Sequence, residues 1–170
     1  MKTNNIKNLT TNNTNEDTNK EDSKDSFVNI RDIRGNIIDQ EESTNETNII
    51  YKEECYKIYH CIYLVHNKLG NGFLESVYQE ALEIEFRKDK IPFESQKMIR
   101  IYYDDKPLTQ FFKADIVCYD KILLELKAVT KINNEHKAQL INYLTATKIK
   151  LGLLVNFGTH PKVEICRIVH

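Results

Sequence analysis

The run LGLLVNF at residues 151–157 constrains the fold of this chain more than any other feature of its sequence. A strand covered on one face alternates apolar and polar side chains, whereas a continuous apolar run is typical of a strand buried on both faces. Such burial requires helices on each side of the sheet. The chain is therefore expected to form an α/β sandwich around one sheet.

Three helices are predicted from the periodicity of apolar residues. Residues 51–69 repeat apolar side chains at steps of three and four, which makes one stripe of a helix that ends at Gly70. A second helix follows Gly72 and ends before Pro92, which interrupts the pattern. A third covers residues 133–148, with Asn133 as its predicted N-cap.

The remaining regular segments predict strands rich in β-branched and aromatic residues. Three of them form a predicted antiparallel meander, with polar turns at residues 104–107 and 119–121. The apolar run follows the third helix, and residues 162–170 form a last strand. The predicted order is α-α-β-β-β-α-β-β, with a mixed sheet flanked by helices.

The first 50 residues differ in composition from the rest. Residues 1–26 hold seven Asn and five Thr with few apolar side chains, so we expect this stretch to be disordered. Residues 27–38 contain short apolar clusters, for which a transient hairpin and a docking strand both stay open. Residues 1–50 carry 6 basic and 10 acidic residues, and residues 51–170 carry 18 and 15. The prediction is an acidic, Asn-rich leader at 1–50, disordered or weakly ordered, and a mildly basic folded domain at 51–170.

The sequence indicates an intracellular protein, cytoplasmic with a nuclear location also open. It has no apolar stretch of the roughly 20 residues that span a bilayer, and no apolar signal-peptide core near the N-terminus. We therefore expect no secretion, no transmembrane segment and no membrane partner. The four cysteines lack a C-x-x-C pair, which favours buried thiols over a zinc or dithiol site: Cys55, Cys61, Cys118 and Cys166.

Charged residues interrupt two of the most apolar predicted strands. Asp115 lies in FKADIVCY, and Glu125 and Lys127 lie in ILLELKAV, where strand alternation places both on one face. The turn at 120–121 would bring Asp115 beside Glu125. Two carboxylates in a partly apolar site repel unless a cation separates them, and oxygen ligands alone favour Mg²⁺ or Mn²⁺. The alternative to a metal site is that Asp115 is an acid at a strand edge and that Glu125 and Lys127 face solvent.

The helices contribute further polar residues. Glu75 and Tyr78 are three residues apart and share a face of the second helix. His136, Gln139 and Tyr143 share a face of the third. Each of these residues, taken singly, is also common on a helix surface or in a helix cap. Together they supply the third acid and the polar groups that a phosphoryl-transfer site needs.

These residues resemble the GxxExxY family, a branch of the PD-(D/E)XK nuclease superfamily. The resemblance covers about residues 53–169 and includes the strand LGLLVNFG. It depends on four motifs: Gly72-x-x-Glu75-x-x-Tyr78, Ala114-Asp115, Glu125-x-Lys127 and Gln139-x-x-x-Tyr143. It implies a restriction-endonuclease-like sandwich. Ala114 stands where the superfamily has Pro, a position that carries no ligand.

The resemblance also implies a role for each matched residue. Asp115 and Glu125 would bind Mg²⁺ or Mn²⁺, with Glu75 and the backbone carbonyl of Leu126 completing the shell. Lys127 would be the catalytic lysine. Gln139 and Tyr143 would help to arrange the site and DNA, so that the catalytic set is Glu75, Asp115, Glu125, Lys127, Gln139 and Tyr143. His136 is not part of the family pattern.

The implied function is metal-dependent hydrolysis of nucleic acid, with DNA favoured over RNA. The alternatives are a nuclease-fold protein with weak or no cleavage that binds nucleic acid, and an interaction module presented by the leader. A homodimer or an unknown protein partner also stays open. Seven basic residues are candidates for phosphate contacts: Lys97, Arg100, Lys121, Lys131, Lys137, Lys148 and Lys150.

Overall fold

The computed structural model describes residues 49–170, which form three helices and five strands. In chain order these are α1 (Lys52–Leu69), α2 (Glu75–Lys88), β1 (Phe93–Tyr103), β2 (Lys106–Cys118), β3 (Ile122–Lys127), α3 (Asn134–Thr147), β4 (Leu151–Asn156) and β5 (Glu164–Val169). The order is the predicted one. The expectations for the first 48 residues of the leader lie outside the described residues.

The five strands form one mixed sheet in the order β1-β2-β3-β4-β5. The pairs β1–β2 and β2–β3 are antiparallel, which confirms the predicted meander. Strand β4 pairs parallel to β3 after the α3 crossover, and β5 pairs antiparallel to β4. The predicted α/β architecture with a mixed sheet is therefore confirmed.

Helices cover both faces of the sheet and make two apolar cores. Helices α1 and α2 pack Ile62 and Leu82 over one face, which presents Leu124 and Leu126. Helix α3 packs on the other face, where Leu140 and Leu144 meet Leu123 and Leu154. Every residue of β4 is buried, as the continuous apolar run predicts.

The β1–β2 ribbon changes faces halfway along its length. Phe93 and Ile116 pack in the α1–α2 core, whereas Ile99 and Ala114 belong to the α3 core. Gln96 lies between these pairs and has a left-handed backbone with φ of 52°. Left-handed conformations are unfavourable for residues other than glycine. This irregular position lies beside Asp115, the first acid of the candidate site.

Two features of composition can be checked against the described residues. None of the four cysteines forms a disulfide; Cys55, Cys61 and Cys118 are buried and Cys166 is half-buried. Between residues 49 and 170, no helix combines the length and the apolar character that crossing a membrane requires.

Candidate active site at the end of strand β3

Residues 125–128, at the end of β3 and just beyond it, make hydrogen bonds to three carboxyl groups, those of Glu75, Asp115 and Glu125. Lys127 Nζ donates a hydrogen bond of 2.7 Å to Glu125 Oε1. The Leu126 amide donates to Asp115 Oδ2 at 2.8 Å, and the Ala128 amide donates to Glu75 Oε1 at 3.2 Å. Acids from α2, β2 and β3 thus reach residues 125–128 of one strand end.

The sheet register explains how Asp115 reaches this position. The β2–β3 ladder ends at the pair Ile116–Leu124, so Leu126 lies beyond the last pair and its amide is available to the Asp115 carboxylate. On the other side, Gln96 Nε2 lies 3.5 Å from Asp115 Oδ1 and donates to Gln79 at 2.9 Å. Because β2 and β3 stop pairing after Ile116–Leu124, the Asp115 carboxylate can take the place of a strand partner for Leu126.

Tyr78 holds the loop that leads into α2, where Glu75 is the first residue. Its hydroxyl donates to the Gly70 carbonyl at 2.9 Å and accepts from the Phe73 amide at 3.2 Å. Its fully buried ring stacks on Phe157 with centroids 4.5 Å apart. Gly70 has φ of 69°, which suits glycine at the end of α1. Tyr78 thus holds the backbone between Gly70 and Phe73, and Glu75 faces the end of β3.

The Glu125 carboxyl has an unusual electrostatic environment. Its side chain is 3% exposed, and burial, followed by the charge of Asp115, raises its pKa to about 7. Burial also raises the pKa of Asp115. Burial lowers the pKa of Lys127, but the hydrogen bond and charge of Glu125 outweigh it, so the net shift is upward and the ammonium is retained. Glu125 Oε2 is buried and has no hydrogen-bond partner within the described residues.

These side chains fit a hard divalent cation in part. Carboxylate oxygens are the ligands that Mg²⁺ and Mn²⁺ prefer, and an unpaired buried oxygen is a position that a cation would satisfy. Within residues 49–170, however, no three acidic, histidine or cysteine side chains lie close enough together to hold an ion. The expected three-carboxylate shell is not preassembled in the described residues; Glu75 and Asp115 instead each accept a hydrogen bond from a backbone amide.

Helix α3 places its polar pair beside this cluster. Gln139 Nε2 donates to the Tyr143 hydroxyl at 2.8 Å. Burial raises the pKa of Tyr143, and the hydrogen bond from Gln139 opposes this shift; the charges of Glu125 and Asp115 also raise the pKa, and that of Lys127 lowers it. The hydroxyl therefore lies within the electrostatic field of the site. His136 has a different role, since it completes a capping box with Asn133, the predicted N-cap.

Two residues that support the site are missing from the sequence-based set. Asn156 is fully buried opposite Lys127, and its Oδ1 accepts from the amides of Val129 and Gly158, both at 3.0 Å. A Cβ on Gly158 would lie 2.4 Å from the Val129 carbonyl oxygen. Together they anchor the chain that follows Lys127. The signal that could have revealed them is the single amide in an otherwise apolar run.

The predicted phosphate-binding residues divide into two groups. Lys97 pairs with Glu94 at 2.6 Å and with Asp120 at 3.8 Å, and Lys121 pairs with Glu54. These acids compete with phosphate for the two lysines. The others make no ion pair within the part of the chain that the structure describes: Arg100, Lys131, Lys137, Lys148 and Lys150.

Comparisons with known proteins assign the chain to a superfamily. The crystal structure of SSO0001 is similar to this chain at 18% sequence identity and a TM-score of 0.44, covering 81% of this chain and 75% of that one. Similarity at that level carries no functional information. No curated protein matches the chain. The family model of the PD-(D/E)XK nuclease superfamily matches residues 52–168, a range that contains the three helices, strands β1 to β4 and all of β5 except Val169. Since this match spans the described fold from α1 into β5, the chain belongs to the PD-(D/E)XK nuclease superfamily.

Proposed function

We propose that this chain is a metal-dependent nuclease of the GxxExxY branch, which hydrolyses phosphodiester bonds with Mg²⁺ or Mn²⁺ and prefers DNA to RNA. The superfamily match supports nuclease-type chemistry. The observation that carries the proposal is the buried Glu125, with one unpaired oxygen and a pKa near 7, paired with Lys127 at 2.7 Å.

A purely structural role explains Glu125 poorly. All the other residues of β3 from Ile122 to Leu126 are buried and apolar, so an apolar side chain would suit this position in the strand. Burying a carboxyl with one unsatisfied oxygen costs free energy that such a side chain would avoid. A buried acid with a strongly shifted pKa beside a specific charged partner is typical of a functional site.

The proposed roles follow from the positions of the side chains. Asp115, Glu125 and the Leu126 carbonyl would hold the ion, with Glu75 in support. A bound divalent cation supplies Lewis-acid stabilisation of the charge that develops on phosphate. Lys127, as an ammonium, is placed to orient a water molecule or to neutralise a phosphate oxygen. Gln139 and Tyr143 would orient the substrate from α3.

A second candidate function has its own supporting observation. Glu75 and Asp115 are each engaged by a backbone amide, and the described residues contain no group of three acids ready for an ion. A protein that keeps the fold and binds nucleic acid with weak or no cleavage would need no such group. Cleavage assays separate the two candidates.

The test is cleavage of linear, circular and single-stranded DNA, and of RNA, by the full chain in Mg²⁺, Mn²⁺ or EDTA. We expect metal-dependent cleavage that falls by at least about 100-fold in Glu125→Gln and in Lys127→Gln. Glu80→Gln, an exposed acid on α2, is the matched control and should cleave like the parent.

Three outcomes would each change one part of the proposal: the site, the catalytic activity or the substrate. Equal cleavage by the parent and by Glu125→Gln would contradict the assigned site. Salt-sensitive DNA binding without cleavage in any metal would favour the binding module. Faster cleavage of RNA than of DNA would overturn the substrate preference while leaving the chemistry intact.

A further inference from the structure

We propose that the end of the β1–β2 hairpin, residues 97–113, is a stacking platform for single-stranded nucleic acid that leads into the site at β3. We call this segment the hairpin arm. The inference deepens the proposed function by naming the form of the substrate, and it rests on that function in assuming a nucleic-acid substrate.

The hairpin arm extends beyond the rest of the sheet. Strand β2 pairs with β3 only from Ile116 to Cys118, and β2 is exposed from Lys106 to Lys113. In this region β2 pairs with β1 alone, so the arm is a two-stranded ribbon; one face packs Ile99 and Phe112 against α3, and the other face is exposed. Two-stranded ribbons are marginally stable in water, and contiguous exposed apolar surface marks interaction sites. The arm therefore has the form of a binding element.

The exposed apolar side chains of the arm are mainly aromatic. Tyr102 is 61% exposed, Tyr103 71%, Phe111 48% and Phe112 43%. Aromatic rings bind unpaired bases by stacking and accept every base, because each base has a π face. A duplex already stacks its bases on each other, so this surface favours single strands over duplexes.

The arm carries a net charge of +2, from four basic residues and the two acids at its tip, Asp104 and Asp105. Arg100, Lys106 and Lys113 make no ion pair or hydrogen bond with other side chains in residues 49–170. Arg100 pairs across the strands with Phe111, and Met98 pairs with Lys113, so cationic and apolar side chains alternate on one face. Free cations interleaved with aromatic rings are the combination that single-stranded nucleic acid requires.

The base of the arm is continuous with the candidate active site. The Phe112 ring lies 5.1 Å from the Tyr143 ring, centroid to centroid. Tyr143 accepts the hydrogen bond from Gln139 and lies in the field of Glu125 and Asp115. Phe112 lies on the face of the arm opposite Phe111 and Arg100, so this contact joins the arm to α3, and a strand bound on the exposed face would be held next to the site.

Binding of fluorescently labelled DNA to the full chain tests the inference. Anisotropy is measured in EDTA, so that cleavage does not interfere, with one single strand and a duplex of the same sequence. We expect tighter binding of the single strand, and a dissociation constant raised roughly 5- to 100-fold by Phe111→Ala or Tyr102→Ala. Ile84→Ala, at an exposed apolar residue on α2, should bind like the parent.

Conservative variants distinguish stacking from loss of folding and from apolar contact. Phe111→Tyr keeps the aromatic face and should restore binding, whereas Phe111→Leu keeps apolar surface and should stay weak. Parent-like binding by Phe111→Leu would overturn the inference. Equal affinity for single strand and duplex would also overturn it. A third contrary result would be variants that bind DNA like the parent but differ from it in the concentration dependence of their molecular mass, because this would indicate that the arm contacts a second copy of the chain.

The two proposals fail separately. Glu125→Gln tests cleavage and leaves the hairpin arm unchanged, while the arm variants are assayed for binding without metal. Normal single-strand binding by Phe111→Ala in a chain whose cleavage depends on Glu125 would refute the platform alone. Weakened binding in a chain that cleaves nothing would refute the nuclease alone.

Discussion

Glu125 shows how one residue can dominate the physical chemistry of a strand. Its neighbours stabilise the fold by leaving water, whereas its carboxyl loses hydration without a full set of partners. Lys127 offsets part of this cost through a bond of 2.7 Å. The acid at this position therefore lowers the stability of the fold, which is typical of residues kept for function.

The first prediction concerns the stability of the metal-free protein between pH 4.5 and 7. Burial raises the Glu125 pKa from 4.5 to about 7, so the folded state binds this proton more tightly than the unfolded state. Stability is highest below the unfolded pKa and falls as pH rises through this window, by on the order of 3 kcal/mol. Asp115 contributes in the same direction.

Urea unfolding in EDTA across this pH range measures the effect. Glu125→Gln removes the titrating group and should flatten the dependence, whereas Glu80→Gln should retain it. A parent protein whose free energy of unfolding is the same at both ends of the window would contradict the burial argument.

The second prediction concerns Tyr78. Tyr78→Phe removes the hydroxyl that bonds the Gly70 carbonyl and the Phe73 amide while leaving the ring stack on Phe157. We expect the free energy of unfolding to fall by about 1–2 kcal/mol and the Phe73 amide to exchange its hydrogen faster. Tyr63→Phe is the control, because its hydroxyl has no hydrogen-bond partner in the described region. Unchanged exchange at Phe73 would exclude this role.

At the scale of elements, the helices and strands follow from local patterns. Helix α3 begins directly after Asn133, whose side chain caps it, and β4 coincides with the apolar run. Contacts between elements depend on details that such patterns do not contain. The close approach of Gly158, which follows β4, to the chain after β3 is one of them, and it supplies the third prediction.

Gly158→Ala should disturb the chain that follows Lys127. The added Cβ would meet backbone atoms of Val129 at 2.4 and 2.6 Å, and backbone cannot move as a side chain can. We expect a loss of about 1–3 kcal/mol in the free energy of unfolding and reduced cleavage. Gly152→Ala meets only the Leu140 side chain, at 2.8 Å, so it should cost less. Urea unfolding of the two variants compares them, and equal losses would contradict the distinction.

At the scale of the whole molecule, charge is divided between two regions of opposite sign. Residues 1–50 carry a net charge of −4 and residues 51–170 carry +3, within a chain of −1. Near-neutrality of the chain is therefore compatible with a nucleic-acid substrate. The acidic leader would compete with phosphate for the basic side chains of the domain.

The fourth prediction is that removing residues 1–48 tightens DNA binding at low salt. The truncation keeps Ile50, whose carbonyl accepts a hydrogen bond from Arg167 at 3.2 Å. The difference from the full chain should shrink as salt rises, because screening weakens charge interactions. A neutral Gly/Ser segment of the same length separates charge from chain length. Equal affinities at low salt would show that the leader does not compete.

Sequence and tertiary structure determined different parts of this protein. The order of helices and strands, their apolar faces and the shared face of Glu125 and Lys127 follow from periods of 3.6 and 2, which backbone geometry imposes locally. The end of the β2–β3 ladder, the left-handed Gln96, the anchor at Asn156 and the exposed hairpin arm depend on register between distant segments. Only the folded chain decides these features, because they arise from which strands pair and where the pairing ends.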